Sequence, residues 1–282
     1  MDIDYIYISI DGGEQSNDPR MLKLLDAASN FFTNGTKVSI IHREINLGLT
    51  NHIVQAISEV LQNHKTIIVV EDDVALSNNF YTNMKSGLEI LTSKGHLGLV
   101  GGFSPLNCSG PSLFKNRWRK TRYFPCWGWG CNLETWSKYK ADLSCFELGK
   151  ILTSSKSWNS LSKWQKSVWE HRFLRVQKDP LYTWDIQMQF TSFLHNFTNI
   201  VPLYRFVDNE GFNDSRAVHT RGMKPKWFKN GIKNHQVLEK KHLKGVLNRT
   251  LEIIDANFIA GDTKLIKNQK NIRKYIDLMQ KK

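Results

Sequence analysis

Hydrophobic residues follow two different periods along the N-terminal part of the chain. Short apolar runs rich in β-branched residues predict strands, at Tyr5–Ile10, Val38–Ile41, Ile67–Val70 and Leu97–Phe103. Between these runs, apolar residues recur every three or four positions and predict amphipathic helices that begin near Pro19, Thr50 and Phe80. The order β-α-β-α-β-α-β predicts an α/β fold with three layers, in which helices cover both faces of a mostly parallel sheet.

Three consecutive carboxylates, Glu71, Asp72 and Asp73, follow the strand predicted at Ile67–Val70. That strand consists of β-branched residues and is expected to be buried on both faces. The acids then lie at its C-terminal end, where open α/β sheets bind their ligands. Adjacent carboxylates repel one another, and a divalent cation such as Mg²⁺ or Mn²⁺ would make the group favourable. The alternative is a solvated acidic turn after a core strand.

An aromatic segment in the middle of the chain carries further candidate chemistry. Residues Tyr123–Cys131 place Trp127 and Trp129 on either side of Gly128. Flat rings between glycines can stack on a sugar face or cover a nucleotide. For Trp129, a corner of the core packed with tryptophan is an equal alternative.

A second candidate acid, Asp185, follows Trp184 at the start of a helix predicted to end near Asn196. A carboxylate in the first turn is stabilised by the helix N-terminus, which is also the simplest structural explanation of Asp185. Further along the chain, a polar turn at Asp208–Ser215 precedes His219. A histidine in such a position is either a ligand for metal or phosphate, or a structural or solvated residue.

The positive charge of the chain is concentrated at its C-terminal end. The formal net charge is +13, and residues 221–282 contain 16 Lys and Arg against 5 Asp and Glu. A basic tail of this kind binds nucleic acid, binds anionic lipid headgroups, or is a solvated face without a partner. Apolar periodicity predicts two amphipathic helices in this tail, around Val246–Phe258 and Leu265–Met279.

The sequence also indicates a compartment. No apolar run is long enough to span a bilayer, and no basic-then-apolar signal precedes the first strand, so we expect a cytoplasmic protein. The cysteines form neither a CxxC pair nor a zinc-binding pattern with histidine, and we expect them to be reduced thiols. They are Cys108, Cys126, Cys131 and Cys145.

Taken in order, these motifs resemble those of nucleotide-sugar glycosyltransferases of the GT-A fold, a Rossmann-like α/β fold. The likeness is to bacterial enzymes of polysaccharide and lipopolysaccharide assembly (family 2-like), and more distantly to the N-acetylglucosaminyltransferase I family. It covers Tyr5 to His219. The motifs that carry it are Ser9–Gly12, Asn46–Leu49, Val70–Asp73, Phe124–Trp129, Trp184–Asp185, and Asn209–Phe212 followed by His219.

The resemblance implies a metal-dependent, inverting transfer of a sugar from a nucleotide-sugar donor, with UDP as the favoured nucleotide. Asp73 would ligate Mn²⁺ or Mg²⁺, with His219 as a further metal or phosphate ligand. Asp185 would accept the proton of the acceptor hydroxyl as that oxygen attacks the anomeric carbon. The acceptor would be a glycan or a lipid-linked sugar in cell-surface polysaccharide synthesis.

On the donor side, the resemblance implies that Asp11 contacts the base and that Asn46 and Gly48 belong to the loop leading into the nucleotide-side helix. Asp72 would approach the ribose or sugar hydroxyls, and Glu71 would orient the site. On the acceptor side it assigns Trp127, Gly128, Trp129 and Trp184.

The resemblance also implies a domain organisation. Residues 1–220 would form the GT-A domain, with a nucleotide-sugar half at 1–103 and an acceptor half at 104–220, followed by a basic helical tail at 221–282. The family has a further strand, internal to the sheet, ahead of the strand at Tyr5–Ile10. Here Met1 stands almost at that second strand, so we expect unpaired backbone groups and an exposed apolar edge.

Two other functions combine some of the same features. A nucleotidyltransferase also joins a parallel sheet to acids and Mg²⁺, but it normally carries an early glycine-rich, basic signature that is not visible here. A non-catalytic module with a basic tail would bind nucleic acid or membranes without sugar turnover. For the tail, docking on an anionic membrane at the inner face of the plasma membrane is favoured over nucleic acid by family analogy.

Overall fold

The structure is a computed structural model that describes residues 3–13, 18–31, 35–105, 117–124, 126–212, 232, 237–242, 248, 251–253 and 255–256. The strands are β1 (Tyr5–Ile10), β2 (Lys37–His42), β3 (Thr66–Val69), β4 (Val74–Leu76), β5 (Val100–Gly101), β6 (Arg117–Thr121), β7 (Trp129–Asn132), β8 (Asn199–Pro202), β9 (Val207–Asn209) and β10 (Glu239–His242). The helices are α1 (Pro19–Phe31), α2 (Gly48–Asn63), α3 (Phe80–Ser93), α4 (Leu133–Trp136), α5 (Leu148–Ile151), α6 (Lys156–Asn159), α7 (Lys163–Lys178) and α8 (Asp185–Leu194).

The largest sheet has the strand order β10-β6-β8-β5-β7-β3, and β1-β2 and β4-β9 form separate pairs. Parallel pairing joins β1 to β2, β5 to β8 and β6 to β10. Antiparallel pairing joins β7 to both β3 and β5, β6 to β8, and β4 to β9. The predicted α/β class is confirmed, with more antiparallel pairing than the order of the N-terminal elements indicated.

Helices pack on both faces of the large sheet. The buried side chains Leu99 and Val100 are consecutive, yet they belong to different hydrophobic clusters. The cluster of Val100 includes α3, which approaches so closely that a Cβ on Gly87 would lie 2.5 Å from Val100 Cγ1. The cluster of Leu99 includes residues of α2 and α8. The strands therefore present alternate side chains to two helical layers.

β1 and β3 each have a single strand partner in the described part of the chain, since β1 pairs with β2 and β3 pairs with β7. Apolar side chains near these strands are exposed, with 45% of Tyr5 and 41% of Val70 accessible to solvent. The Tyr7 hydroxyl of β1 lies 2.8 Å from Nε2 of His64, which follows α2 and precedes β3.

The described residues beyond 220 pack against the sheet. Asp255 is 2% exposed and pairs with the buried guanidinium of Arg119 in β6. The Asn248 side chain accepts from the Lys120 amide and donates to its carbonyl, at 2.9 and 3.1 Å. Residues 251–253 and 255–256 are helical, within the first predicted tail helix, whereas 239–242 form the strand β10 beside β6. The second predicted tail helix, Leu265–Met279, lies outside the described residues. No helix in the described ranges is both long and apolar enough to cross a bilayer.

Candidate functional site

The carboxylate group lies in a turn between β3 and β4. β3 ends at Val69, and the Val74 amide donates to the Glu71 carbonyl over 3.1 Å. β4 then pairs antiparallel with β9. The predicted position of the three acids, at the C-terminal end of a strand, is therefore confirmed.

Glu71 connects this turn to the second candidate acid. Burial is the main cause that raises the pKa of Glu71 to about 8. The charges of Asp73, Asp185 and Asp72 add to the shift, in that order. Trp129 of β7 pairs with Val69 of β3, and its ring stacks on that of Trp184, the residue before Asp185. The fold therefore brings Asp185 close to the end of β3, where the acidic turn begins. At neutral pH the Glu71 carboxyl keeps its proton, which relieves repulsion within the group.

Asp73 is fixed by the polypeptide that follows β9. Its Oδ2 accepts from the Asn209 side-chain amide at 3.0 Å, and its carbonyl accepts from the Glu210 amide at 2.7 Å. Asn209 is itself fully buried, and its Oδ1 accepts from the Gly211 amide at 2.9 Å. Burial raises the pKa of Asp73, while the hydrogen bond from Asn209 acts in the opposite direction. One side of the carboxylate is thus held in place.

The other oxygen of Asp73 is suited to a cation. Its Oδ1 is buried and has no hydrogen-bond partner among the described residues. These residues contain no group of three or more His, Cys, Asp or Glu side chains that could hold a metal by themselves. Asp72 is exposed beside it, and His219 lies outside the described residues. The donor set fits Mg²⁺ or Mn²⁺ bound through a single carboxylate, with other oxygens supplied by a phosphate ligand and water.

Asp185 is the first residue of α8, as predicted. Its Oδ1 accepts from the Thr183 hydroxyl and, at 2.9 Å, from the Ile186 amide. These donors fix the carboxylate orientation and stabilise its charge at the helix N-terminus. Thr183 is buried, whereas Asp185 retains partial exposure. The carboxylate is therefore oriented and still accessible to a ligand.

Two neutral polar side chains, Cys126 and Tyr139, lie close to Asp185. Burial is the first cause that raises the pKa of the Cys126 thiol, and the charges of Asp185 and Glu71 raise it further. Burial and the charge of Asp185 likewise raise the pKa of Tyr139. The Tyr139 hydroxyl donates to the Trp184 carbonyl at 3.2 Å. Both groups remain protonated and add no negative charge to the site.

The predicted donor-side residues form a second polar group, at the ends of β1 and β2. Asp11 Oδ1 accepts from the Gly12 amide at 2.9 Å and from the Leu47 amide at 2.8 Å. Asn46 Oδ1 accepts from the Gly48 amide at 2.8 Å. Asp11, Asn46 and Gly48 are therefore brought together, with Asp11 holding the loop that leads into α2.

The N-terminus of α2 connects this loop to the Asp185 segment. Thr50, predicted as the N-cap of this helix, instead lies within it, because α2 begins at Gly48. The buried Thr50 hydroxyl instead donates to the Leu181 carbonyl at 3.0 Å. The donor-side loop and the segment ahead of Asp185 are thus in direct contact.

Two of the predicted acceptor-side tryptophans belong to the core. Trp129 is 0% exposed and Trp184 is 3% exposed. Their rings stack with centroids 5.4 Å apart, and Phe124 meets both edge to face. Burial on this scale prevents contact with an acceptor, so the acceptor-side assignment of these two indoles is corrected to a packing role. For Trp129 this is the core-corner alternative.

Trp127 and Gly128 are placed differently. Trp127 is partly buried, with its ring 4.7 Å from Phe103 and 6.2 Å from Phe212. Gly128 has φ +56, and a Cβ there would lie 2.6 Å from Val207 Cγ1. Its carbonyl accepts from the Gly102 amide at 2.7 Å. Gly128 therefore permits a tight turn, and Trp127 keeps a partly accessible face.

Two residues of the site carry functions that the sequence interpretation did not assign. Asn209, within the segment Asn209–Phe212, holds Asp73, and Thr183 orients Asp185. A hydroxyl two residues before a helix-opening acid is a local signal that could have identified Thr183. The contact of Asn209 with Asp73 joins residues 136 positions apart, and no local pattern encodes it.

Comparison with known proteins adds no assignment. No protein-family model matches the chain, and no curated protein matches it significantly. A functional conclusion therefore rests on the geometry of the site and on the motifs in the sequence.

Proposed function

We propose that this protein is a metal-dependent, inverting glycosyltransferase of the GT-A type. It would move a sugar from a nucleotide-sugar donor, with UDP favoured, to a glycan or lipid-linked acceptor. The observation that carries the proposal is the meeting of Asp185, at the start of α8, with the acids at the end of β3. This reaction needs one carboxylate to accept a proton and another to bind the metal, and the site offers an oriented carboxylate beside one that could bind a cation.

The chain's own residues account for the proton and for orientation. The acceptor oxygen forms a bond to the anomeric carbon while the bond from that carbon to the nucleoside diphosphate breaks. The acceptor proton passes to the Asp185 carboxylate, whose orientation is set by Thr183 and the Ile186 amide. Holding both substrates between the α2 loop and the acidic turn supplies proximity. Trp127 offers a partly accessible ring for a sugar face.

Asp73 would hold the metal through Oδ1, because Asn209 occupies Oδ2. When bound, the cation neutralises negative charge on the leaving diphosphate. Asn209 and the Glu210 amide keep Asp73 in position whether or not a cation is present.

The test is nucleotide binding with Mn²⁺, followed by thermal unfolding. UDP, GDP and CDP are each titrated with and without the metal, since a ligand specific to the folded state raises Tm by mass action. We expect a metal-dependent shift for one nucleotide that is lost in Asp73→Asn. Asp26→Asn, an exposed carboxylate on α1, is the matched control. Shifts that are absent for every nucleotide, or equal in both variants, would refute the proposal.

A further inference from the structure

Two arginines of α7 have their guanidinium carbons over aromatic rings, close to the segment that precedes Asp185. The Arg172 guanidinium carbon is 4.9 Å from the ring centroid of Trp169. The Arg175 guanidinium carbon is 3.7 Å from the ring centroid of Tyr182. The two arginines are three residues apart and therefore neighbours on one side of the helix.

The turn after α7 explains why these cations lie near Asp185. The Tyr182 amide donates to the Asp179 carbonyl at 3.1 Å, which folds the chain back so that Tyr182 meets Arg175. Tyr182 directly precedes Thr183, the residue that orients Asp185. Burial lowers the pKa of Arg172, and the nearby charge of Asp185 opposes that effect.

The position of Arg175 over Tyr182 leaves a way for it to bind an anion. A guanidinium whose carbon lies over a ring can direct N–H donors past the ring edge, in a fork that matches phosphate or carboxylate oxygens. Arg172 is only partly exposed, so an anion beside it would be bound in a partly desolvated place. Two leucines close to these arginines in sequence are exposed, Leu174 by 48% and Leu181 by 60%.

We propose that Arg172 and Arg175 bind an anionic group of the acceptor, a phosphate or a carboxylate, and hold its hydroxyl beside Asp185. The role toward Asp185 rests on the proposed function, whereas the anion site can be measured independently of it. Cations at this position also offset the negative charge that Glu71–Asp73 and Asp185 would present to an acidic acceptor.

The test measures anion binding without nucleotide or metal. Calorimetric titrations compare three anions, glucose 1-phosphate, glucuronic acid and farnesyl phosphate, with neutral glucose. Each ligand is titrated into the wild type and into the variants Arg172→Gln, Arg175→Gln and Lys163→Gln. Lys163 is exposed at the opposite end of α7 and controls for the loss of one charge. We expect at least one anion to bind about tenfold more tightly than glucose, and each arginine variant to lose about tenfold, as for one charge-assisted hydrogen bond.

The anion that binds most tightly identifies the kind of acceptor. A preference for farnesyl phosphate that is lost in Leu181→Ser indicates a lipid phosphate. Equally tight binding of glucose 1-phosphate indicates a soluble phosphate, and a preference for glucuronic acid indicates an acidic sugar. The inference is overturned if glucose binds as well as every anion, or if Lys163→Gln weakens binding as much as the arginine variants. Arg175 is exposed, so its variant tests the site even if Arg172→Gln fails to fold.

Nucleotide binding separates the two proposals. Arg172→Gln should keep the metal-dependent Tm shift with the nucleotide, because the arginine lies on the acceptor side. Anion binding without any nucleotide shift in the wild type would refute the transferase and leave the anion site. A nucleotide shift without anion binding would refute only the anion site.

Discussion

Replacing Glu71 by glutamine should make the protein more stable at alkaline pH while leaving its stability in mild acid nearly unchanged. The pKa of this carboxyl rises from 4.5 to about 8 on folding, first because it is buried and then because Asp73, Asp185 and Asp72 lie nearby. Below about pH 4.5 both the folded and the unfolded chain keep the proton. Between about pH 4.5 and pH 8 only the folded chain keeps it, so the free energy of unfolding falls as the pH rises.

The size of the effect follows from the shift. Each pKa unit corresponds to about 1.4 kcal/mol, so the full shift corresponds to about 5 kcal/mol as an upper value. Glu71 retains some exposure, and hydration of the ionised carboxylate reduces the cost. We therefore expect the stability of Glu71→Gln relative to wild type to increase by about 2–4 kcal/mol from pH 5 to pH 8.5. That is a large part of the total stability of an ordinary domain.

The assay is urea unfolding across this pH range, with EDTA present so that no cation compensates for the acids. The matched control is Glu170→Gln on the exposed face of α7, whose stability relative to wild type should not depend on pH. The raised pKa of Glu71 would be refuted if the difference in unfolding free energy between Glu71→Gln and wild type did not change from pH 5 to pH 8.5. It would also be refuted if Glu170→Gln showed the same pH dependence.

Three further predictions concern separate features. Arg119→Met should destabilise the protein by about 3–5 kcal/mol in urea unfolding, because it leaves the buried Asp255 carboxylate without its partner. Adding Asp255→Leu should recover most of that loss, and no recovery would contradict this account. Gly128→Ala should lower stability by about 1–3 kcal/mol, since its φ is +56 and its Cβ would approach Val207 to 2.6 Å; an unchanged urea midpoint would contradict it. Asp185→Asn should abolish sugar transfer, measured as nucleotide release, while nucleotide binding persists; full activity would exclude Asp185 as the base.

Local patterns were sufficient for the elements that position the acids. The run Ile67–Val70 predicted β3, and the acids that follow it lie at the end of that strand. Pro19 predicted the first residue of α1, and Trp184–Asp185 predicted the start of α8. In each case the signal and the structure involve neighbouring residues, so strand and helix propensities were enough.

Features that depend on distant partners were not predictable in this way. Trp129 could pack in the core or face a ligand, and only the approach of Trp184 and Phe124 decides for the core. The lysine-rich residues 239–242 carry no strong strand signal, and they become β10 because the neighbouring edge of β6 accepts them. Asn209 reaches Asp73 only once β9 has paired with β4.

The position of β10 has a consequence for how the protein is made. Strands are added to the large sheet out of chain order, and β10, which lies beside β6, is the last of the described strands to leave the ribosome. Until it and Asp255 have emerged, Arg119 lacks its partner and one edge of β6 is open to pairing with another nascent chain. The window for misassembly therefore lasts from the emergence of β6 until β10 and Asp255 have followed it.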